Sequence, residues 1–391
     1  MTIREAWQLK KDGKINKTWD ELNEEFGKPY TSGDVFRKCA WNHTDDTEVE
    51  IKETQVDPIQ IEKEKQLKAK EEQEYRENLK ITAQKDIIAE RLAECARIVQ
   101  PYEIERVTIP HKNFSTKNTV PVLMLSDIQA GTFISAEATG GLNDYNWNSL
   151  EKQFVKLRDG AISILSKQLN ETPLLKIYML GDMVEGLGIF PGQQYHCDKD
   201  VYQQFFGLAE LLSKYLQEML QVFDEIEVYT VPGNHGRIGK KGETPHYLNW
   251  DNFLYRHVQT MMQNFDRIKW NITDAWYQLD TTFETTTLLT HGDGIKSWGG
   301  IPFYGIQRMD ARNTKMYAAK KMFYDLIAMG HFHTPAELPT PTGPIMINGC
   351  FPGASVFALK DLNTANRPQQ TLFGIHKDYG KIWTFPIYLE V

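Results

Sequence analysis

Short apolar runs alternate with longer amphipathic stretches from about residue 104 to the end of this chain of 391 residues. The short runs are VPVLML, LLKIYML, IEVYTV, TTLLT, DLIAM and PIMIN. The longer stretches include NSLEKQFVKLRDGAISILSKQL and VYQQFFGLAELLSKYLQEML, and the chain ends with TLFGIHKDYGKIWTFPIYLEV, which has the form of a hairpin. This alternation predicts an α/β domain over residues 104–391 in which layered sheets are flanked by helices.

The first 43 residues instead have the pattern of three short helices. Thr2-x-x-Glu5 and Thr18-x-x-Glu21 both have the form of a capping box, which satisfies the free N–H groups at a helix start. Ser32 is placed to cap a third helix, GDVFRKCAW. Residues 1–43 therefore form a predicted small all-α module.

The segment TWDELNEEFGKPYTSGDVFRKC in this module resembles helix-turn-helix DNA-binding modules. In that motif the second helix of the pair enters the major groove. Arg37 and Lys38 would then face phosphates or base edges of DNA. The alternative is a helical module that contacts only protein.

Residues 44–103 form a predicted charged linker that contains a long helix. Its Lys, Glu, Gln and Ala residues run from residue 62 to residue 100 without Gly or Pro. Apolar residues recur on one stripe at a spacing of three to four: Ile81, Ile88, Leu92, Cys95 and Val99. The stripe either forms a homodimeric coiled coil or packs on the domain that follows.

Charge and cysteine content limit the partners and the compartment. The net charge of −8 gives the whole chain no attraction for nucleic acid, and residues 1–43 carry 8 Lys/Arg against 7 Asp/Glu. The four cysteines form no CxxC pair, which is typical of free thiols in a reducing compartment. No apolar run reaches the roughly 18 residues of a membrane span. We therefore expect a soluble, cytoplasmic protein without membrane contact.

Metal-binding residue types follow five of the predicted strands. Loops beyond strand ends are where α/β proteins gather a site, so these side chains are expected to converge. A buried cluster of carboxylates and imidazoles needs counter-charge, which a divalent cation supplies. The residues concerned are Asp127, Gln129, Asp182, Asn234, His235, His291, His331 and His333.

The ordered set D-x-Q, GD, GNH, H and GHxH resembles the calcineurin-like metallophosphoesterase superfamily over residues 118–350. The GHxH ending and the spacing are most similar to the double-strand-break-repair exonuclease branch. Together with the N-terminal module, they suggest a bacteriophage or prophage protein, acting in the host cytoplasm.

The resemblance implies two divalent metal ions with Asp182 as their bridging ligand. The first ion would also take Asp127, Gln129 and His333, and the second would take Asn234, His291 and His331. His235 would be catalytic without being a ligand, because it contacts the phosphate and protonates the leaving oxygen. Mn²⁺ is the expected metal, with Mg²⁺, Fe²⁺ and Zn²⁺ as alternatives.

Three positions depart from the superfamily pattern. Gln129 stands where histidine is usual, so the first metal site is expected to be weaker or selective for Mn²⁺ or Mg²⁺. Gly236 stands where an acidic residue often orients the catalytic histidine. Glu185 in GDMVEG stands near where other members carry Asp, Asn or His.

Two glycine-rich loops add candidate substrate contacts. Arg237, Lys240 and Lys241 follow the GNH motif and either bind a phosphodiester backbone or form a solvated hairpin tip. Trp298 and Tyr304 follow His291 and either stack on a base or pack their own loop.

The sequence thus predicts a two-metal DNA phosphodiesterase, most simply a nuclease, with metal-bound hydroxide as the nucleophile and the N-terminal module positioning it. Nucleases of this branch often work with a partner ATPase. One alternative is a phosphatase or small-nucleotide phosphodiesterase. Another is a non-catalytic DNA-binding or assembly protein whose metallophosphoesterase domain is a scaffold.

Overall fold

The computed structural model describes residues 1–42, 118–168, 174–239, 241–296, 301–361 and 364–391, together with part of the segment 62–86. The chain divides into two compact units, Met1–Ala83 and Gln84–Val391, and each is described by itself. Among the described helices, none has the length and apolar character needed to cross a membrane.

The N-terminal unit contains the three predicted helices, α1 (Ile3–Lys11), α2 (Trp19–Glu25) and α3 (Gly33–Cys39). The capping boxes at the starts of α1 and α2 are both present, and the Ser32 side chain accepts from Val35 N. A short 3₁₀ helix, Ala40–Asn42, follows α3. The helices enclose a small core of Ile3, Ile15, Leu22, Phe36 and Ala40.

The predicted linker helix is described only in its first half. Every described residue between 62 and 86 is helical. The apolar stripe from Ile81 to Val99 lies outside the described residues, so the predicted dimer contact stays a prediction.

The second unit contains two sheets. The first sheet has the strand order β11-β10-β1-β2-β3-β4, and β1 to β4 are parallel. Its strands are β1 (Thr119–Leu125), β2 (Leu174–Met179), β3 (Glu225–Thr230), β4 (Ile268–Ile272), β10 (Gln369–His376) and β11 (Gly380–Tyr388). The second sheet has the order β5-β6-β7-β9-β8, with β6, β7 and β9 parallel. Its strands are β5 (Tyr277–Thr282), β6 (Thr285–Thr290), β7 (Leu326–Met329), β8 (Ala336–Leu338) and β9 (Ile345–Ile347).

The two sheets pack face to face between helices. Their shared core includes Met124 and Tyr178 from the first sheet and Leu289, Ala328 and Met346 from the second. The helices are α4 (Trp147–Gln168), α5 (Val201–Met219), α6 (Trp250–Met261), α7 (Phe303–Ala318) and α8 (Val356–Asp361). Helices α4, α5 and α6 pack in series, from β11 at one edge of the first sheet to β4 at the other. Helix α7 contributes Ile306 and Tyr317 to a core on the outer face of the second sheet.

The layered α/β fold and all six predicted apolar strands are confirmed, as is the closing hairpin of β10 and β11. Strands β4, β5 and β8 were not predicted. Strand β4 is an edge strand whose residues are mostly half-exposed, and β5 includes the polar run DTT, so neither has a continuous apolar run.

A buried ion pair joins the two sheets away from the strand ends. Lys176 Nζ of β2 lies 2.7 and 2.9 Å from the two carboxylate oxygens of Asp280 in β5. The Tyr178 hydroxyl donates to the same carboxylate at 2.6 Å. The Lys176 and Asp280 side chains are only 5% and 0% exposed, so either charge alone would be costly.

We expect Asp280→Ala to lower the free energy of unfolding by about 3 kcal/mol, because it leaves the Lys176 ammonium buried without its main partner. Urea denaturation measures this loss. Asp266→Ala, at an exposed position before β4, is the control and should change stability by less than about 0.5 kcal/mol. The double variant Lys176→Met/Asp280→Leu should recover much of the loss. A single variant as stable as the wild type would contradict the prediction.

Candidate metal centre

The carboxyl ends of parallel strands from both sheets meet at one edge of the second unit. Asp127 and Gln129 follow β1, Asp182 follows β2, and Asn234 and His235 follow β3. The second sheet contributes three histidines, with His291 after β6 and His331 and His333 after β7. The structure therefore brings the eight predicted residues of five loops to one edge.

Asp182 lies at the centre of the contacts. Its Oδ1 accepts from the His235 backbone N–H at 2.7 Å, and its Oδ2 lies 3.0 Å from His291 Nε2. Asp182, His291 and His331 each offer a ligand atom, and these atoms all lie within 4.8 Å of one another. A carboxylate and two imidazoles thus face one small volume.

Asp127 completes the arrangement on the other side. Its carboxylate accepts from the His331 backbone N–H at 3.0 and 3.1 Å, and its Oδ1 lies 3.3 Å from His333 Nε2. The Gln129 amide nitrogen lies 3.3 Å from both His333 Nε2 and His235 Nε2. With the ring centroids of His291 and His331 5.1 Å apart, these contacts close into a ring through loops of both sheets.

Three buried polar atoms around this ring fit a metal ion. Asp182 Oδ2 and His291 Nε2 lie 3.0 Å apart without a hydrogen bond of good geometry, and Asn234 Oδ1 has no hydrogen-bond partner among the described residues. An unsatisfied buried polar group costs about 1–3 kcal/mol, so such atoms at one place require an explanation. A divalent cation would satisfy all three, and this mixture of oxygen and nitrogen donors suits Mn²⁺, Fe²⁺ or Zn²⁺.

The pKa values of the buried His291 and the half-buried His331 are shifted in opposite directions. Burial lowers the pKa of His291, but the Asp182 and Asp127 carboxylates outweigh it and raise this pKa to about 10. Burial and the neighbouring His291 lower the pKa of His331 to about 4. His331 is therefore neutral at pH 7 with a lone pair to offer, whereas ligation by His291 would displace a proton.

The backbone at the candidate ligands is in an uncommon conformation. Few non-glycine residues have positive φ, because this conformation costs conformational energy. Such residues cluster at functional sites, where the surrounding structure holds the strained backbone in place. In the described chain nine non-glycine residues have positive φ, and five of them are Asp127, Gln129, Asp182, His331 and His333. This backbone turns each side chain from the strand direction toward the site.

Two motif glycines allow the loops to approach one another. A Cβ at Gly233 would lie 2.2 Å from both the backbone nitrogen and Oδ1 of Asp182. A Cβ at Gly330 would lie 2.5 Å from Asp127 Oδ2. The GNH motif needs glycine because the β2 and β3 loops are in backbone contact. The GHxH motif needs glycine because the β7 loop lies against the Asp127 side chain.

His235 is paired with Glu185, which follows β2 on the same loop as Asp182. His235 Nδ1 lies 3.1 Å from Glu185 Oε2, and its Nε2 faces Gln129 in the ring. Burial lowers the pKa of His235, but the carboxylates of Glu185 and Asp182 outweigh it and raise this pKa to about 9. The two carboxylates therefore favour the imidazolium form of His235, which can donate a proton.

Glu185 supplies the acidic partner that the sequence pattern lacks at Gly236. Its carboxylate accepts from Thr132 Oγ1 at 2.8 Å and from Gln193 Nε2 at 2.9 Å, so its position is fixed. A Cβ at Gly236 would lie 2.1 Å from Asn249 Oδ1, which leaves no room for an acidic residue there. The sequence offered one signal for this role, a carboxylate three positions after Asp182.

Asp251, at the start of α6, was missed by sequence reasoning. Its buried carboxylate accepts from the backbone N–H groups of Asp182, Met183 and Gly233 at 2.9, 3.1 and 2.9 Å. Burial raises the pKa of Asp251 to about 6. This one side chain therefore holds the β2 and β3 loops together.

The predicted substrate contacts are placed as follows. Arg237 is half-buried beside the GNH loop, and Lys241 is exposed. Lys240 and Trp298 lie outside the described residues, and Tyr304 is 74% exposed on α7. Arg37 and Lys38 lie in the last turn of α3 in the N-terminal unit, where both pair with Asp34.

We expect Asp251→Ala to weaken Mn²⁺ binding about 10- to 100-fold, because partners behind the ligands orient them. Isothermal titration of the purified protein with Mn²⁺ measures the change. Asp266→Ala is the control and should bind like the wild type. An unchanged Mn²⁺ affinity in a folded Asp251→Ala protein would contradict the role given to Asp251.

Comparison with protein families gives the superfamily that the sequence motifs resemble. A family model described as calcineurin-like phosphoesterase matches residues 120–363. A search of curated proteins gave no match.

Several solved structures are similar. A predicted phosphoesterase from Streptococcus pneumoniae TIGR4 is 10% identical, with 69% of this chain and 99% of that chain covered and a TM-score of 0.29. Zinc-complexed Vps29 from Entamoeba histolytica is 10% identical, with 69% and 99% covered and a TM-score of 0.28. An archaeal phosphodiesterase is 10% identical, with 68% and 99% covered and a TM-score of 0.30. Because this family model matches residues 120–363, which is more than half of the chain, the chain belongs to the calcineurin-like phosphoesterase family.

Proposed function

We propose that the protein is a divalent-metal-dependent phosphodiesterase that cleaves DNA, with its N-terminal module binding DNA. The observation that carries the proposal is a proton donor beside the metal centre. His235 is paired through Nδ1 with Glu185, and its Nε2 faces the ring of candidate ligands. Phosphoester hydrolysis needs such a donor because an alkoxide leaves poorly.

Seven residues would hold two metal ions. They are Asp127, Gln129, Asp182, Asn234, His291, His331 and His333. When bound, such ions supply an activated water near neutral pH and neutralise the phosphate charge.

The chain's own residues then position the phosphate and move the proton. Glu185 holds the His235 ring in place and stabilises its cation. The imidazolium would donate its Nε2 proton to the leaving oxygen, and the Glu185 carboxylate at Nδ1 favours this protonated form. Asp251 keeps the β2 and β3 loops in register while this happens.

A cation beside the GNH loop supports an extended anionic substrate. Arg237 Nε is buried and has no hydrogen-bond partner among the described residues. A buried donor of this kind next to a phosphoester site suits a phosphate oxygen of the substrate. Lys241 is exposed on the same loop and could contact the next phosphate along a strand.

The N-terminal module favours DNA over a small nucleotide as the substrate. Arg37 and Lys38 are 48% and 65% exposed, and both reach Asp34 at 2.8 and 2.9 Å. Exposed ion pairs of this kind contribute little stability, so DNA phosphates could replace Asp34 at small cost. We expect Arg37→Ala/Lys38→Ala to weaken DNA binding and leave hydrolysis of small esters intact.

A substrate panel with Mn²⁺ tests the activity. The panel contains single- and double-stranded DNA, bis-p-nitrophenyl phosphate and p-nitrophenyl phosphate. We expect the wild type to cleave DNA and the diester, and Asp182→Ala to lose both activities and Mn²⁺ binding. Turnover of the monoester alone would replace the proposal with a phosphatase. A wild type without bound metal or activity, and indistinguishable from Asp182→Ala, would indicate a scaffold.

We expect His235→Ala to slow DNA cleavage about 10²- to 10⁴-fold, which is the usual size of general acid catalysis. The loss on bis-p-nitrophenyl phosphate should be much smaller, because p-nitrophenolate leaves without protonation. Glu185→Gln should likewise lower kcat more on DNA than on bis-p-nitrophenyl phosphate, and the loss on DNA should be smaller than in His235→Ala. The measurement is kcat on both substrates at saturating Mn²⁺.

The matched control for this comparison is Glu337→Gln, a carboxylate on β8 that pairs with Lys381. It should leave both rates unchanged. Equal losses on the two substrates in His235→Ala would refute the role of His235 as proton donor.

A further inference from the structure

Three exposed aromatic side chains lie on the loops that follow β1 and β2, and one of them, Phe190, is a neighbour of His235. Phe133 is 42% exposed, Phe190 is 42% exposed and Tyr195 is 81% exposed. We call these three residues the aromatic rim. Large apolar side chains that remain exposed together usually mark an interaction site.

The rim is carried by two loops that are hydrogen-bonded to each other. Residues 130–133 follow β1, and residues 186–197 follow β2. The Phe133 backbone N–H donates to His196 O at 2.8 Å, and Asp198 N–H donates to Gly131 O at 2.9 Å. This pairing holds the backbone of Phe133 against the backbone that follows Tyr195.

A buried glutamine fixes the longer loop to the catalytic pair. Gln193 is 0% exposed, and its Nε2 donates to Glu185 O and Oε1 at 2.8 and 2.9 Å. Its Oε1 accepts from Ile189 N–H at 3.0 Å. Gln193 therefore connects the loop that carries Phe190 and Tyr195 to Glu185, the residue that orients His235. The rings of Phe190 and Tyr195 remain exposed to solvent.

One residue of the aromatic rim, Phe190, lies next to the proposed proton donor His235. The Phe190 ring centroid lies 6.4 Å from that of His235, with the rings nearly perpendicular at 73°. A planar group that stacks on the exposed face of Phe190 would thus be a neighbour of the oxygen that His235 protonates.

We infer that the aromatic rim binds an unpaired nucleobase of the substrate, on the side of the leaving oxygen. This inference rests on the proposed function and adds the substrate class, which is single-stranded or locally unpaired nucleic acid. Aromatic side chains stack on every base, whereas a base inside a duplex has no free face to offer. Arg237 then contacts the backbone and the rim contacts the base.

Three single-stranded oligonucleotides test the inference, each with one cleavable linkage between otherwise methylphosphonate linkages. One has bases on both sides of that linkage, and the other two have an abasic analogue on one side or the other. The product ends identify the leaving side. We expect the wild type to lose kcat/KM roughly 5- to 150-fold when the abasic analogue is on that side, which is the range for one stacked base.

Variants of the rim should remove this discrimination. In Phe190→Ala and in Tyr195→Ala, the ratio of kcat/KM with and without the leaving-side base should fall toward one. Phe190→Trp should keep the ratio, because it keeps an aromatic face. Phe283→Ala removes an aromatic ring of equal 42% exposure from the β5–β6 turn and should keep the wild-type ratio.

Failure of the inference differs from failure of the proposed function. If the wild type cleaves all three oligonucleotides equally, or if Phe190→Ala keeps the full ratio, the rim is not a base site and serves another partner such as protein. If the wild type hydrolyses bis-p-nitrophenyl phosphate but none of the oligonucleotides, the nuclease proposal and the inference both fail. Bound Mn²⁺ and an unchanged melting temperature establish that each variant is folded.

Discussion

The rest of this structure depends on two buried carboxylates that join the two sheets at their strand ends. Asp127 and Asp182 both come from the first sheet, and both contact histidines of the second. Charges this deeply buried are tolerated only when they are paired and hydrogen-bonded. The Asp–His contacts supply part of that compensation, and the remaining unsatisfied atoms converge where a cation would complete it.

The local backbone and packing follow from this constraint. Left-handed conformations at five candidate ligands turn side chains off their strands and toward one another. Glycines at the motif positions let neighbouring loops touch, and Asp251 accepts three backbone N–H groups to hold two of those loops. The strain is concentrated at the candidate site, and the apolar core between the sheets offsets it.

Glu185 orients His235 from a different position in the chain than the superfamily pattern predicts, which is the residue directly after the histidine. The position after His235 has no room for a side chain, because Gly236 lies against Asn249. Glu185 reaches the imidazole from the neighbouring loop instead, and Thr132 and Gln193 fix its carboxylate. Gln193 also anchors the loop that carries Phe190 and Tyr195, so one buried amide links the orientation of His235 to the shape of the aromatic rim.

Sequence by itself determined the elements and the candidate ligand set. Continuous apolar runs predicted the buried strands, capping boxes predicted the N-terminal helices, and polar residues after strands predicted the edge where a site would form. These signals are local, since each depends on a few consecutive residues. The tertiary structure decided the half-exposed strands β4, β5 and β8 and the Lys176–Asp280 pair. It also decided the roles of Glu185 and Asp251 and the exposure of Phe190 and Tyr195. Each of these depends on which distant residue lies opposite in space, and no local pattern in the chain specifies that partner.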